Sequence, residues 1–145
     1  MEAIYNEKNF QEVLKNRNEL FKRICNKYHF TNITDICIDN KTSKLYIGDS
    51  SGTNENMINI GKLVNIHGIQ GSLVNTYGYH SNREQIFVNV ASDIINDKDE
   101  NRIYFEGINT YTSYEEACEQ IEKILKKYKM LQITKKQHEI EQDFQ

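Results

Sequence analysis

The hydrophobic pattern of this 145-residue chain changes period twice, and that change restricts the fold more than any motif does. Between positions 6 and 28, Phe10, Val13, Leu14, Leu20, Phe21, Ile24, Cys25 and Tyr28 recur at steps that keep them on one side of a helix. Asn6 is the expected N-cap with Glu7 in the first turn, and Tyr5 is placed to staple against Phe10. Lys22, Arg23 and Lys27 lie toward the carbonyl end, where the helix dipole favours cations. The same period returns near the other end. Ser113 and Glu116 form a capping box, and Tyr114, Ala117, Cys118, Ile121, Ile124, Leu125 and Tyr128 make one stripe. Glutamates 115, 116, 119 and 122 precede lysines 123, 126, 127 and 129, matching the dipole and giving Glu119–Lys123 and Glu122–Lys126 pairs four residues apart.

Between these helices the period falls to two. Ile36 and Ile38, then Leu45 and Ile47 beyond a polar turn at 39–43, predict a hairpin. Residues 48–56 (GDSSGTNEN) are a loop by composition. The stretch 57–66 fits either element: Ile58, Ile60, Val64 and Ile66 alternate, but Met57, Ile60, Leu63 and Val64 suit a helix capped by Thr53 or Asn54, and the helix is preferred. Residues 72–80 predict a strand with Leu73, Asn75, Tyr77 and Tyr79 on one face. The stretch 82–96 is also two-sided. Paired apolar residues every four positions favour a helix, whereas the alternation of Ile86, Val88 and Val90 favours a strand, which is taken because a helix would leave the sheet thin. Residues 102–108 (RIYFEGI) are a further strand.

The expected fold is therefore a single α+β domain over 1–130, a mainly antiparallel sheet flanked by N- and C-terminal amphipathic helices, in the order α-β-β-α-β-β-β-α. Residues 131–145 form a polar C-terminal tail or a helix extension, with Ile133, Ile140 and Phe144 at helical spacing.

Composition narrows the function classes. A formal charge of −3 with both signs interleaved leaves no basic stripe, so nucleic-acid binding is not expected. No stretch approaches the length of a membrane span, and MEAIYNEKNF has neither the charged start nor the apolar run of a leader, so a cytoplasmic protein is expected. Three scattered cysteines suit buried thiols in a reducing compartment. The absence of proline, with abundant Ile, Asn and Lys, fits an AT-rich gene such as that of a phage or other mobile element.

The chemistry-bearing residues crowd into 61–84 (GKLVNIHGIQGSLVNTYGYHSNRE), which holds four of the seven glycines and two of the four histidines. His67 and His80 have no partner at metal-ligand spacing, and GIQG lacks the pattern of a phosphate loop. GDSSG does not form a nucleophile elbow, and His29 with Thr31 is half of a two-histidine pair whose other half is missing. No catalytic residue, metal or cofactor is expected. Tyrosine gathers at recognition surfaces, so Asn75, Tyr77, Tyr79, His80 and Arg83 are the expected contacts for a partner, and rings of Tyr104 and Tyr111 downstream join them if 72–80 and 102–108 are neighbouring strands. The function expected is a small binding or inhibitor protein, of the immunity or anti-defence kind, that holds a protein partner or sequesters a small ligand. Two alternatives stand beside it: a hydrolase or phosphodiesterase using His67 or His80 with Asp49 or Glu106, and a homodimeric assembly or chaperone factor built on the last helix.

Overall fold

The computed structural model describes residues 7–39, 41–47, 56–77 and 87–143. Among them the chain runs α1 (Glu7–Tyr28), β1 (Ile33–Asp39), β2 (Leu45–Ile47), β3 (Met57–Val64), β4 (Ile69–Gln70), β5 (Val74–Asn75), β6 (Val88–Asp97), β7 (Arg102–Tyr111) and α2 (Tyr114–Asp143). The α+β domain with a helix at each end is as the periodicity predicts. The strands form one mixed sheet in the order β2-β1-β3-β5-β6-β7-β4, antiparallel except where β4 meets β7.

Phe21, Ile24 and Cys25 of α1 are buried, and His29 closes the helix in the left-handed conformation (φ 56°), with the Phe30 amide donating to the Cys25 carbonyl. The N-cap and staple assigned to Asn6 and Tyr5 lie outside the described residues. The first hairpin is found as expected, with Ile36 opposite Ile47 and Ile38 opposite Leu45. Its turn is set by the Asp39 carboxylate, which accepts the amides of Lys41 (2.8 Å) and Thr42 (3.2 Å). These bonds, that from Lys41 first, hold the Asp39 carboxyl below its ordinary range.

The helix expected over 57–66 is instead strand β3, antiparallel to β1 from Ile33↔Val64 to Asp39↔Met57. Local spacing left both elements open, and the long β1 ladder decides between them. Gly61 is not a weak point in a helix. A Cβ there would lie 3.0 Å from Thr76 Oγ1 and 3.3 Å from the Tyr77 amide, so glycine admits the neighbouring backbone. The strand expected at 72–80 is also revised over its described part, since among residues 72–77 only Val74–Asn75 is strand, and 78–80 lie outside the described residues. For 82–96 the strand is found over Val88–Asp97, with 82–86 outside the described residues.

The region after β3 dictates the shape of the sheet. Residues 71–73 join β4 to β5, although β6 and β7 lie between those strands in the sheet. β5 pairs with β6 at Val90 and Asn89, while β4 pairs with β7 at Ile103 and Tyr104, opposite Asn96 and Ile95. A flat sheet would need about 14 Å across three strand spacings and about 17 Å along them, yet the link reaches only about 14 Å when extended. The sheet must curl. Leu73 is the plug of that curl, fully buried, its amide donating to Val64 O and its carbonyl accepting from Ala91.

Ala117, Cys118, Ile121 and Ile124 of α2 pack into a core with Leu73, Val74, Val88, Val90 and Ile94. The cap is as expected, with the Glu116 amide directed at Ser113 Oγ at 3.4 Å. Where the β6–β7 ladder skips the Ser92/Gly107 position, Gly107 has φ +72° and the Gln120 amide of α2 donates to Ala91 O (2.9 Å) and Ser92 O (3.1 Å). Residues 131–143, expected as a polar tail or a helix extension, continue α2 without a break.

Candidate interaction surface

Of the residues expected to meet a partner, Tyr79, His80 and Arg83 lie outside the described residues. Tyr77 is half-buried, and Asn75 is only 9% exposed. Asn75 belongs to a polar ladder that crosses the sheet. The Asn89 amide donates to Asn75 Oδ1 (2.9 Å) and to the Tyr77 carbonyl, Thr110 Oγ1 donates to Asn89 Oδ1 (2.8 Å), and Asn75 Nδ2 donates to Ser72 Oγ (3.1 Å). Thr76, fully buried, accepts the Lys62 amide on its hydroxyl. Buried amides must be paired, and this ladder pairs them. Asn75 thus takes part in joining β5, β6 and β7.

β5 and β7 are not neighbours in the sheet, because β6 lies between them. The Arg102 guanidinium lies over the Tyr104 ring at 4.7 Å, and the Tyr111 hydroxyl accepts from Asn109 at 3.2 Å. These rings serve their own strand.

Of the residues of the hydrolytic alternative, His67 and Glu106 are among the described ones. His67 is exposed and lines a shallow cleft of about 400 Å³ with Asn32, Asn65, Gly68 and Gly71. Glu106 is exposed on β7 and is not part of that lining, and Asp49 and His80 lie outside the described residues. Cys25, Cys37 and Cys118 are buried and unbridged. Burial pushes the Cys25 thiol up to about 11, which keeps it protonated and unreactive. Burial also raises Tyr28, whose hydroxyl donates to the Cys118 carbonyl at 3.2 Å and so ties α1 to α2. Among the described residues no group of three or more His, Cys, Asp or Glu could hold a metal ion.

A second groove, of about 630 Å³, runs between α1 and the start of α2. Its wall is built from side chains already engaged: Arg23 stacks on the Tyr114 ring at 3.7 Å, and Glu115 accepts the Ser113 hydroxyl at 3.2 Å. The Glu115 carboxyl is held low by its own backbone amide and then by Ser113.

Unsatisfied apolar surface lies elsewhere. β2 presents Leu45, Tyr46 and Ile47 on the outer strand of the sheet, and the last part of α2 presents Met130, Ile133 and Ile140, which are 56%, 43% and 48% exposed. At 100° per residue, the buried stripe from Tyr114 to Tyr128 and the set Met130, Ile133, Gln137 and Ile140 are centred roughly 140° apart. The second set therefore does not prolong the first. It faces away from the body of the domain. The three-four-three spacing was visible in the sequence, and Ile133 and Ile140 were noted there. Gln137 and the flanking Lys136 and Glu141 were missed, because polar residues give no signal until the axis of the helix is known.

No protein-family model matches the chain, and neither a curated protein nor a solved structure matches it.

Proposed function

We propose that this chain is a protein-binding module that acts by docking, with the distal half of α2 as its docking element. One observation carries the reading: an apolar seam of Met130, Ile133 and Ile140 on a continuous helix, turned away from the domain that supports it. A terminal extension serving only solubility needs no such seam, and a seam at i, i+3, i+7 and i+10 is the form in which a helix meets a partner. The α+β body then works as a rigid platform. Buried, unbridged thiols fit the reducing interior of a cell, so a cytoplasmic setting goes with this reading. An inhibitor or immunity protein of a mobile element would act in this way, and the proline-free, Ile-, Asn- and Lys-rich composition accords with such a source.

The test is paired affinity purification from the same cells, with the native chain and an Ile133→Lys/Ile140→Lys variant, each carrying a tag distinct from that of a co-expressed native copy. The expected result is a stoichiometric protein, whether that copy or another chain, retained by the native form and lost from the variant. Identical recoveries from the two would refute the reading.

A further inference from the structure

Resting on that reading, we infer that the occupant of the α2 seam is a second copy of this chain, aligned parallel and in register. Met130, Ile133, Gln137 and Ile140 fill the a, d, a and d positions of two heptads, the pattern by which two helices interlock. Orientation follows from what each position would face. In a parallel, in-register pair the core layers are like against like: Met130, Ile133 and Ile140 meet their own copies, and the two Gln137 amides can bond each other. An antiparallel pair would set each Gln137 against an isoleucine, burying an amide with no partner. A polar residue at one a position is how natural coiled coils fix register.

Charge agrees with that alignment. Lys136 flanks the seam on one side (g) and Glu141 on the other (e), so the parallel pair places each Lys136 beside Glu141 of the other copy, twice by symmetry. Geometry leaves room, since every residue from Gln132 to Glu141 is exposed and the seam is turned from the sheet. The 14 residues from Met130 to Asp143 span about 21 Å of helix. Two heptads alone are too short to associate firmly, but here the helix is already nucleated by its packed first half.

The experiment is sedimentation equilibrium of the full chain from about 1 to 100 µM, where association of this strength is readable. The expected mass is twice the 17.1 kDa of one chain at the upper concentrations. Ile133→Lys and Ile140→Lys should each weaken the dimer about 100-fold or more, because each puts charge into a layer made by both copies. Near-ultraviolet circular dichroism should remain native for both, as neither residue touches the core. Lys136→Glu or Glu141→Lys alone should weaken the dimer roughly three- to fivefold at low salt, and the double exchange should restore it. For orientation, Ile140→Cys should cross-link to itself in a glutathione buffer, faster than Ile140→Cys to Ile133→Cys in a mixture.

A monomer at every concentration, a dimer indifferent to Ile133→Lys and Ile140→Lys, or faster cross-linking between positions 133 and 140 would overturn the inference. If the chain is monomeric while the seam still retains a different protein, docking through α2 survives and only the second copy falls.

Discussion

The first and second halves of α2 are one continuous helix, yet only the first is built into the fold. From Tyr114 to Tyr128 the apolar stripe meets the core, Gln120 caps two strand carbonyls, and Lys127 reaches Asp93 at 2.7 Å. From Gln132 to Glu141 every residue is exposed, and the apolar side chains nearby have moved to another face. Helicity in the first half is enforced by tertiary packing. In the second it is propagated from that packed nucleus, where adding a turn requires no new nucleation. Secondary structure alone therefore says little about which residues hold a domain together.

The sharpest test of the contrast exchanges matched isoleucines. Ile121→Ala removes a fully buried side chain and should lower stability by about 2–5 kcal/mol, the range for such truncations in a closed core. Ile133→Ala should change it by no more than about 0.5 kcal/mol. Urea unfolding at low micromolar concentration compares the two. Equal losses would mean that the distal half is part of the folded core.

A smaller effect is expected at the point where the helix grips the sheet. Gly107 takes φ +72°, and a Cβ there would stand 2.9 Å from Ser92 Oγ and 3.0 Å from Ser92 Cβ. Gly107→Ala should destabilise by about 1–2 kcal/mol through the left-handed backbone alone, with further loss as Ser92 shifts. Gln120→Ala removes the amide that serves the Ala91 and Ser92 carbonyls and should lower stability by about 1 kcal/mol. Gln137→Ala, measured on the monomer, is the distal control and should leave the unfolding midpoint in place. A response from Gln137 as large as that from Gln120 would erase the distinction between the halves.

What the sequence could reveal follows the same line. Both terminal helices, the first hairpin and the capping of α2 were legible because each is fixed by neighbours in sequence: Asp39 with Lys41 and Thr42, Ser113 with Glu116. β3 was misread because its identity is settled by β1 and by the backbone of residues 76 and 77 against Gly61, all of which are distant. Asn75 drew attention as a polar residue in a glycine-rich stretch, but the reason for it is Asn89, 14 positions away and buried beside it. A buried polar ladder and a binding surface have the same composition, and they differ only in which side of the residue the water is on.

The weakest link between α2 and the sheet gives the finest measure of where packing ends. Lys127 joins α2 to β6, and its ammonium holds the Asp93 carboxyl below the ordinary value of 3.8, helped by the Ile94 amide that donates to the same oxygen at 2.7 Å. Because the folded state lowers this pKa, the contribution is fully present above the unfolded value near 4 and is lost as the pH falls through the folded one. Both partners are more than two-fifths exposed, so solvent screening limits the effect to about 1 kcal/mol at most. Asp93→Asn should therefore lower stability slightly at pH 7 and flatten its decline below pH 4, while Lys127→Met should do the same and respond to added salt no further. Lys136→Met, in monomer, should leave the acid limb of the native protein unchanged. If Asp93→Asn left the pH profile identical to that of the native chain, the ion pair would add nothing, and the hold of the domain on this turn of α2 would rest on the packing of Leu125, Tyr128 and Leu131 alone.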